Sequence, residues 1–334
     1  MHKGYVHLAF ASHGDEGPFH GWIFSYRATD LKGGPSFLTA PAGLSQMAGA
    51  GIWQSGMGLT EDNTGFVYLA TGNGDFNPAL GDFGNSILKV NFSPTSGLFT
   101  RLDSFTPFDQ EELNRLDLDV GSAGVVFVPP HYLIGAGKSG KFYILDRDHL
   151  GGYTPEQNTD AGALQVFQVT EPSPDKIIDG EWMWNIHGAP VVWNDHAYVM
   201  GESDPVKSFL MDPQTGRMVT TPSSESSFKG PIGMPGGFIT LSVDGAHPQS
   251  SAIIWVVHHL IGNAVRVERP GRLYALDAYD LTKVLWSSDN KKSDKLGTFA
   301  KFVAPTVADG KVFQATFSNK VVVYGLKGKL QHEK

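Results

Sequence analysis

Two aspartates near the middle of the chain have a spacing that suits cation binding. They are Asp117 and Asp119, within Asp117-Leu-Asp-Val-Gly-Ser122. In extended chain, residues two apart point to the same side, so both carboxylates would face one ligand. With Asp75 they would supply the hard oxygen ligands that Ca²⁺ prefers. The pattern predicts a calcium site at Asp75, Asp117 and Asp119, and the alternative is that these aspartates only accept hydrogen bonds from loop N–H groups.

A histidine is the candidate proton acceptor. His187 precedes a glycine and an apolar segment, Gly188-Ala-Pro-Val-Val-Trp193. An imidazole at the end of a strand can act as a general base or a metal ligand, and the commoner alternative is a structural hydrogen bond to a backbone carbonyl. We therefore name His187 and Asp119 as the candidate catalytic residues.

Four further residues are candidates for ligand contact. Trp53 could stack on a ligand, and Gln54 follows it directly. Lys138 and Lys301 could polarise a carbonyl group, or they could simply pair with the aspartates. These four complete the predicted site.

The elements that must position these residues repeat along the chain. An apolar strand that often closes on an acidic residue recurs six times, at intervals of roughly 40 to 65 residues, and a strand-built period of that size is typical of a β-propeller. In such a ring the chemistry lies in loops around a central channel. The six copies are Trp22–Tyr26, Ser86–Val90, Phe142–Asp146, Lys207–Asp212, Arg272–Asp277 and Lys320–Tyr324.

We therefore predict an all-β fold, a β-propeller of about six four-stranded blades. Residues 1–326 form a single propeller domain and residues 327–334 a basic C-terminal tail. Tyr5–Phe10 is predicted to be a second strand, so the first blade would lack its innermost strand. An incomplete blade would expose a strand edge, and such an edge favours self-association. It would also mean that the chain is incomplete or truncated relative to a larger ring.

Composition excludes several classes of protein. The 334 residues carry a formal charge of −8 and no basic run within the predicted ring, which argues against nucleic acid as a partner. Cysteine is absent, so disulfides and thiol catalysis are excluded. The sequence contains no run of 18 apolar residues, so no membrane-spanning helix is predicted. The N-terminus shows no signal-peptide pattern, and from the sequence as written we therefore expect a cytoplasmic protein.

The loop motifs resemble those of the quinoprotein alcohol dehydrogenase-like β-propellers, the pyrroloquinoline-quinone (PQQ) repeat family. The resemblance covers nearly the whole chain. It implies PQQ and Ca²⁺ in the channel of a ring of up to eight blades, and family members are often exported and longer at the N-terminus. The motifs are Gly51–Gly56, Tyr68–Asp75, Asp117–Ser122, Gly135–Lys138, Leu145–Asp148, His187–Pro190 and Lys301–Pro305.

Three functions are compatible with these features, each with a different partner. The first is a metal-dependent hydrolase of small esters or lactones, in which an ion held by the aspartates polarises the carbonyl and His187 helps deprotonate water. The second is a PQQ- and calcium-dependent dehydrogenase. The third is a non-catalytic binding or scaffold ring. In the first two the partner is a small-molecule substrate.

Overall fold

A computed structural model describes residues 1–326, apart from 13, 15, 43–48, 172–176, 179–180 and 183. Along these described residues, six antiparallel sheets follow one another, and each is built from one contiguous segment. This confirms the predicted all-β propeller architecture. The predicted tail, 327–334, lies outside the described residues.

The first three sheets contain three, four and four strands in that order, with one added hairpin, β6 and β7, inside sheet 2. Their strands are β1 (Tyr5–Phe10), β2 (Trp22–Arg27) and β3 (Gly33–Leu38) in sheet 1; β4 (Thr60–Glu61), β5 (Val67–Ala70), β8 (Ile87–Ser93) and β9 (Leu98–Phe105) in sheet 2, with β6 (Phe76–Asn77) and β7 (Asp82–Phe83) as the hairpin; and β10 (Gly124–Val128), β11 (Tyr132–Ala136), β12 (Lys141–Asp146) and β13 (Gln165–Gln168) in sheet 3.

The last three sheets contain four, four and three strands, and a short hairpin, β14 and β15, precedes them. Their strands are β14 (Ile177–Ile178) and β15 (Glu181–Trp182) in the hairpin; β16 (Val191–Trp193), β17 (His196–Met200), β18 (Pro205–Leu210) and β19 (Ser224–Lys229) in sheet 4; β20 (Gly237–Ser242), β21 (Ile253–His259), β22 (Gly271–Asp277) and β23 (Asp280–Ser287) in sheet 5; and β24 (Thr306–Ala308), β25 (Lys311–Thr316) and β26 (Lys320–Gly325) in sheet 6.

The helical segments are short. The α-helix α1 spans Gln110–Arg115 and precedes sheet 3. Short 3₁₀ turns span Gln54–Gly56, Pro155–Gln157 and Lys292–Asp294. In the described part of the chain, no helix is long and apolar enough to cross a membrane.

Successive sheets pack face to face, which explains why the strands are apolar on both sides. In sheet 3, Leu133 and Tyr143 pack with side chains of sheet 2, while Ile134 and Phe142 pack with those of sheet 4. All four are fully buried. Because neighbouring residues of a strand point to opposite faces, such a strand has no solvent side and becomes a continuous apolar run.

All six predicted repeat strands are confirmed as β-strands: they form β2, β8, β12, β18, β22 and β26. The strand β1 is the first strand of sheet 1, so among the described residues this sheet lacks the innermost strand of the others, as predicted. The outer strand of sheet 4 is β19, which pairs with β18.

A buried histidine lies in the core between sheets 4 and 5. His258 of β21 is 3% exposed, and its ring stacks on those of Phe228 and Tyr274, with centroids 5.6 and 5.5 Å away. Its Nδ1 donates to the carbonyl oxygen of His259 at 2.5 Å. Burial lowers the pKa of His258 to about 4 because the apolar stack does not solvate a cation.

The folded protein should therefore lose stability on mild acidification. Between the unfolded pKa of about 6.5 and the folded value of about 4, the unfolded chain binds a proton that folded His258 does not. The free energy of unfolding should fall by up to about 1.4 kcal/mol per pH unit through His258 alone. When urea unfolding is measured between pH 7 and pH 4, the unfolding free energy of His258→Phe should depend less steeply on pH than that of the wild type. Equal slopes for the wild type and His258→Phe would contradict this assignment.

Candidate functional site

A repeated backbone hydrogen bond positions the loops at one end of the sheets. In sheets 2, 3 and 4, the residue two positions after the end of the second strand donates its N–H to a carbonyl in the loop that leads into the same sheet. Lys138 and Glu202 therefore hold equivalent places in successive sheets. The three bonds are Gly72 to Gly51, Lys138 to Asp119, and Glu202 to Asn185, each with an N···O distance of 2.9 Å.

The centre of the candidate site is a lysine held between two aspartates. Lys138 Nζ lies 2.9 Å from Asp117 Oδ2 and 2.6 Å from Asp119 Oδ2. The Lys138 and Asp119 side chains are 12% and 9% exposed, whereas that of Asp117 is 75% exposed. Two ion pairs of this kind are charge-assisted hydrogen bonds and fix the ammonium in place.

The charges of this triad are set by burial and by the ion pairs together. Burial alone would lower the pKa of Lys138, but Asp119 and Asp117 raise it further, and the net pKa is well above its usual value. For Asp117 the balance is reversed: although its side chain is 75% exposed, the protein around its loop displaces part of the solvent near the carboxyl, and this raises its pKa against the opposing effect of Lys138. The lysine stays protonated, and Asp117 is the carboxylate that takes a proton more readily than an ordinary aspartate.

Two asparagines hold the aspartates. Asn73 donates its backbone N–H to Asp119 Oδ1 at 2.6 Å and its side-chain Nδ2 to Asp117 Oδ1 at 2.5 Å. Asn85, which is fully buried, donates from Nδ2 to Asn73 Oδ1 at 2.8 Å and accepts the N–H of Val120 at 2.9 Å. All four carboxylate oxygens thus have a described partner.

The prediction that Asp117 lies in extended chain was wrong: it has φ of +57° in the turn that follows α1. The two carboxylates nevertheless face one cation, and that cation is Lys138 Nζ. A left-handed backbone at an aspartate costs energy, and such strain is often found at functional loops.

The predicted calcium ligands are not assembled as a set. Among the described residues, no group of three or more His, Asp or Glu side chains has an arrangement that could hold a metal ion. Asp75 lies directly before β6, and its carbonyl oxygen accepts the N–H of Gly84 at 2.8 Å. A Ca²⁺ at Asp117 and Asp119 would also lie beside the Lys138 ammonium and be repelled by it. These side chains therefore fit calcium poorly as they are arranged.

A second charged cluster lies in the neighbouring sheet. His187 Nε2 is 3.2 Å from Glu202 Oε1, and both side chains are buried. Lys207 Nζ is 2.7 Å from Asp204 Oδ2 and donates to the carbonyl of Val169 at 2.9 Å. The two clusters are adjacent, because the residue before His187 donates its N–H to the residue before Lys138 at 3.3 Å. The charge of a protonated His187 also lowers the pKa of Asp117.

Two other residues predicted to contact a ligand, Gln54 and Lys301, bond to backbone groups. Gln54 is 2% exposed, and its amide accepts the N–H of Ala70 at 3.0 Å and donates to the carbonyl of Gly58 at 2.9 Å, so both ends of the amide bond to backbone groups. Lys301 donates to the carbonyl of Val265 rather than to the aspartates, because its loop packs against the segment around that residue.

Trp53 does lie beside the aspartates. A side chain at Gly72 would collide with both its indole ring and Asp119 Oδ1, since a Cβ at position 72 would fall 2.7 and 2.2 Å from them. Phe19 contacts Trp53 edge to face, with ring centroids 6.1 Å apart. Glycine at position 72 is what permits this close approach.

Sequence reasoning did not single out Asn85 or Lys207. Both carry polar groups into otherwise buried segments, Asn85 just before β8 and Lys207 within β18. An amide or ammonium in an apolar strand needs a partner, so these positions were a usable signal. The partner itself could not be read from the sequence, because it lies in another sheet or loop.

Comparison with known proteins shows similarity of fold only. No protein-family model matches this sequence, and no curated protein matches it. The quinohemoprotein alcohol dehydrogenase ADHIIG of Pseudomonas putida HK5 is similar over 94% of this chain and 54% of its own, at 15% identity and a TM-score of 0.49. This chain thus spans about half of that enzyme.

Two other solved structures match more of their own length. BamB of Moraxella catarrhalis matches 93% of this chain and 80% of its own, at 11% identity and a TM-score of 0.43. A Bacteroides fragilis protein named as a candidate 6-phosphogluconolactonase matches 97% and 82%, at 10% identity and a TM-score of 0.46. At these identities no activity is transferable. The sheets themselves define the class of this protein, a β-propeller with a charged site in its loops.

The ion pairs of Lys138 with Asp117 and Asp119 should contribute to the stability of the fold. Replacing Lys138 by methionine removes the cation and leaves Asp119 buried without it, which should cost about 3 kcal/mol of unfolding free energy. Adding Asp119→Asn should recover a large part of that loss, because the uncompensated charge is then gone. Lys141→Met, which breaks the partly exposed pair with Asp109, should cost less than about 1 kcal/mol in the same urea titrations. If Lys138→Met and Lys141→Met had equal unfolding free energies, the ion pairs of Lys138 would not be important for stability.

Proposed function

We propose that the loop site binds a small uncharged carbonyl compound and hydrolyses it as an ester or lactone. The observation that carries this proposal is the Lys138 ammonium. It has three N–H donors, and the described side-chain contacts use two, to Asp117 and Asp119. The third donor of a fixed cation is suited to a substrate oxygen.

Lys138 supplies electrostatic stabilisation. When water attacks the carbonyl carbon, the carbonyl oxygen gains negative charge, and a preorganised N–H donor stabilises that charge without reorganising. The raised pKa of Lys138 keeps the ammonium protonated through the whole neutral range. Asp119 is a positioning residue in this scheme, because it holds Lys138 and is itself buried.

Asp117 is the proton acceptor in this proposal. It is the most exposed member of the triad, and its raised pKa makes it a stronger base than an ordinary aspartate. It takes a proton from the attacking water as the new carbon–oxygen bond forms. When the ester carbon–oxygen bond breaks, the same proton passes to the leaving alkoxide, and a hydroxy acid or an acid and alcohol result. His187, buried against Glu202, stays an electrostatic neighbour rather than the base predicted from the sequence.

The proposal uses no metal or quinone. A calcium ion supplies Lewis-acid chemistry in other sites, but here Lys138 holds the position between the two carboxylates. Calcium-dependent hydrolysis, which the sequence predicted, and PQQ-dependent oxidation, which was its alternative, are outcomes that the experiment must separate.

The test is hydrolysis of a panel of small lactones and esters, followed by acid release at constant pH. Asp117→Asn should lower kcat/KM at least about 100-fold, the usual size of a general-base contribution. The rate should rise with pH through a pKa above the ordinary aspartate range, and the variant should lose that rise. Asp148→Asn, at an exposed aspartate on the far side of sheet 3, is the matched control and should keep the wild-type rate.

Four results would contradict the proposal. They are no hydrolysis of any panel member, an unchanged rate in Asp117→Asn, loss of activity with a chelator, and dye-linked alcohol oxidation with added PQQ and Ca²⁺ in place of hydrolysis. Melting temperatures of the variants show whether a lost rate reflects lost fold. Loss of activity with a chelator would support calcium-dependent hydrolysis. Reduction of the dye with added PQQ and Ca²⁺ would support a PQQ-dependent dehydrogenase.

A further inference from the structure

A buried asparagine lies behind the loop site. Asn85 is between the hairpin β6–β7 and strand β8, its side chain is fully buried, and its backbone has φ of +50°. Asparagine is one of the few residues besides glycine that adopt this left-handed conformation at low cost. A buried amide needs partners for both its oxygen and its nitrogen, and the partners of Asn85 lead to the site.

These partners are a backbone N–H and the side chain of Asn73. Asn85 Oδ1 accepts the N–H of Val120 at 2.9 Å, and Asn85 Nδ2 donates to Asn73 Oδ1 at 2.8 Å. Asn73 in turn donates from Nδ2 to Asp117 Oδ1. A continuous chain of three hydrogen bonds therefore joins the backbone at Val120 to the carboxylate of Asp117.

The Val120 N–H fixes the direction of this chain. A backbone N–H can only donate, so Asn85 must face Val120 with its oxygen and Asn73 with its NH₂ group. Asn73 must then face Asn85 with its oxygen, which leaves its own NH₂ group for Asp117. Turning either amide by half a turn would place donor against donor or acceptor against acceptor. Because Asn85 is fully buried, its unmade hydrogen bonds would be costly.

The backbone also holds the two asparagines at a fixed separation. They flank the hairpin β6–β7, and two hydrogen bonds close its base, from the N–H of Asn85 to the carbonyl of Gly72 at 2.7 Å and from the N–H of Gly84 to that of Asp75 at 2.8 Å. A Cβ at Gly84 would lie 2.2 Å from the carbonyl oxygen of Gly74, so the two sides of the base are in close contact. The two amides are therefore held within bonding distance.

We propose that Asn85 is a positioning residue of the loop site, which acts through Asn73 to keep an N–H donor directed at Asp117. The Asp117 side chain is 75% exposed, and the terminal torsion of an aspartate is broad unless donors hold the carboxylate. Lys138 donates to its Oδ2 and Asn73 to its Oδ1, and donors on both oxygens fix the plane of the group.

The orientation of the Asn73 amide does not depend on any activity, whereas the effect of Asn85 on a reaction rate rests on the proposed hydrolysis. In that reaction Asp117 takes a proton from the attacking water. A carboxylate already held in one plane presents its lone pair to that water without first losing rotational freedom, which lowers the barrier.

Exchange of the Asn73 side-chain amide with water tests the orientation without an assay. In the full ¹⁵N-labelled chain, its protons should exchange at least about tenfold more slowly than those of Asn194, an exposed asparagine in the turn between β16 and β17. Asn85→Gly, which keeps the left-handed backbone, should remove that protection. Asn194→Gly, the same change at an asparagine with φ of +47°, is the matched control and should leave the Asn73 protection intact.

A kinetic cycle tests whether Asn85 acts through Asn73. With a substrate from the hydrolysis panel, Asn85→Gly should lower kcat at least about tenfold with little change in KM, because Asn85 is buried and does not touch the substrate. In an Asn73→Ala background the same change should lower kcat less than about twofold, since the residue that transmits its effect is gone. Asn194→Gly should keep the wild-type kcat.

Three results overturn the proposal. One is a wild-type Asn73 amide that exchanges as fast as that of Asn194, a measurement that stands even where Asn85→Gly does not fold. Another is protection of Asn73 that persists in Asn85→Gly. The third is an equal loss of kcat in the wild-type and Asn73→Ala backgrounds, which means that Asn85 only supports the fold. A chain that hydrolyses no substrate contradicts the proposed function alone, because the exchange measurement then decides whether Asn85 directs the Asn73 donor.

Discussion

Face-to-face packing of successive sheets is the constraint on which the structure depends. In β12, adjacent residues Phe142 and Tyr143 are both fully buried, and each belongs to a different apolar cluster. A strand so placed has no side on which a polar group is tolerated without a partner. Where one occurs, it is paired: Lys89 on β8 donates to the carbonyl of Arg147 at 2.8 Å, in the turn that follows the next sheet's third strand. Chemistry is therefore confined to the loops.

The loop site follows from the same constraint. Lys138 lies close to the ends of buried strands, where its charge is poorly solvated. With a single aspartate as partner, the other N–H donors of its ammonium group would be unpaired. Two aspartates hold it firmly, but they give the triad a net charge of −1 when all three groups are ionised. The pKa of Asp117 is raised mainly because the surrounding protein desolvates the carboxyl, and the neighbouring charge of Asp119 adds to this while Lys138 opposes it. In the proposed hydrolysis, the arrangement that stabilises the cation is also the one that holds the base.

The fold was predictable from the sequence, and most of the site was not. The repeat strands were recognisable because burial on both faces makes them apolar runs such as Phe142-Tyr-Ile-Leu145. The nearness of Asp117 and Asp119 was recognisable from their spacing. Pairing of Lys138 with these aspartates was one of the alternatives that the sequence left open beside a calcium ion, and the structure confirms it. The sequence could not choose between the two, because Lys138 comes from a separate loop, after β11, and the turn at Asp117 depends on its packing after α1. Gln54 and Lys301 show the converse: polar residues in the right loops whose side chains satisfy nearby backbone groups instead.

Successive sheets curve around a common centre, and this is what brings distant loops together. The ring of His187, before sheet 4, lies 5.8 Å from the ring of Phe302, before sheet 6. Lys138 lies in a loop at the same end of sheet 3, since the residue before it accepts the N–H of Ile186, next to His187. The packing that buries the strands on both faces therefore also places the charged loop residues side by side.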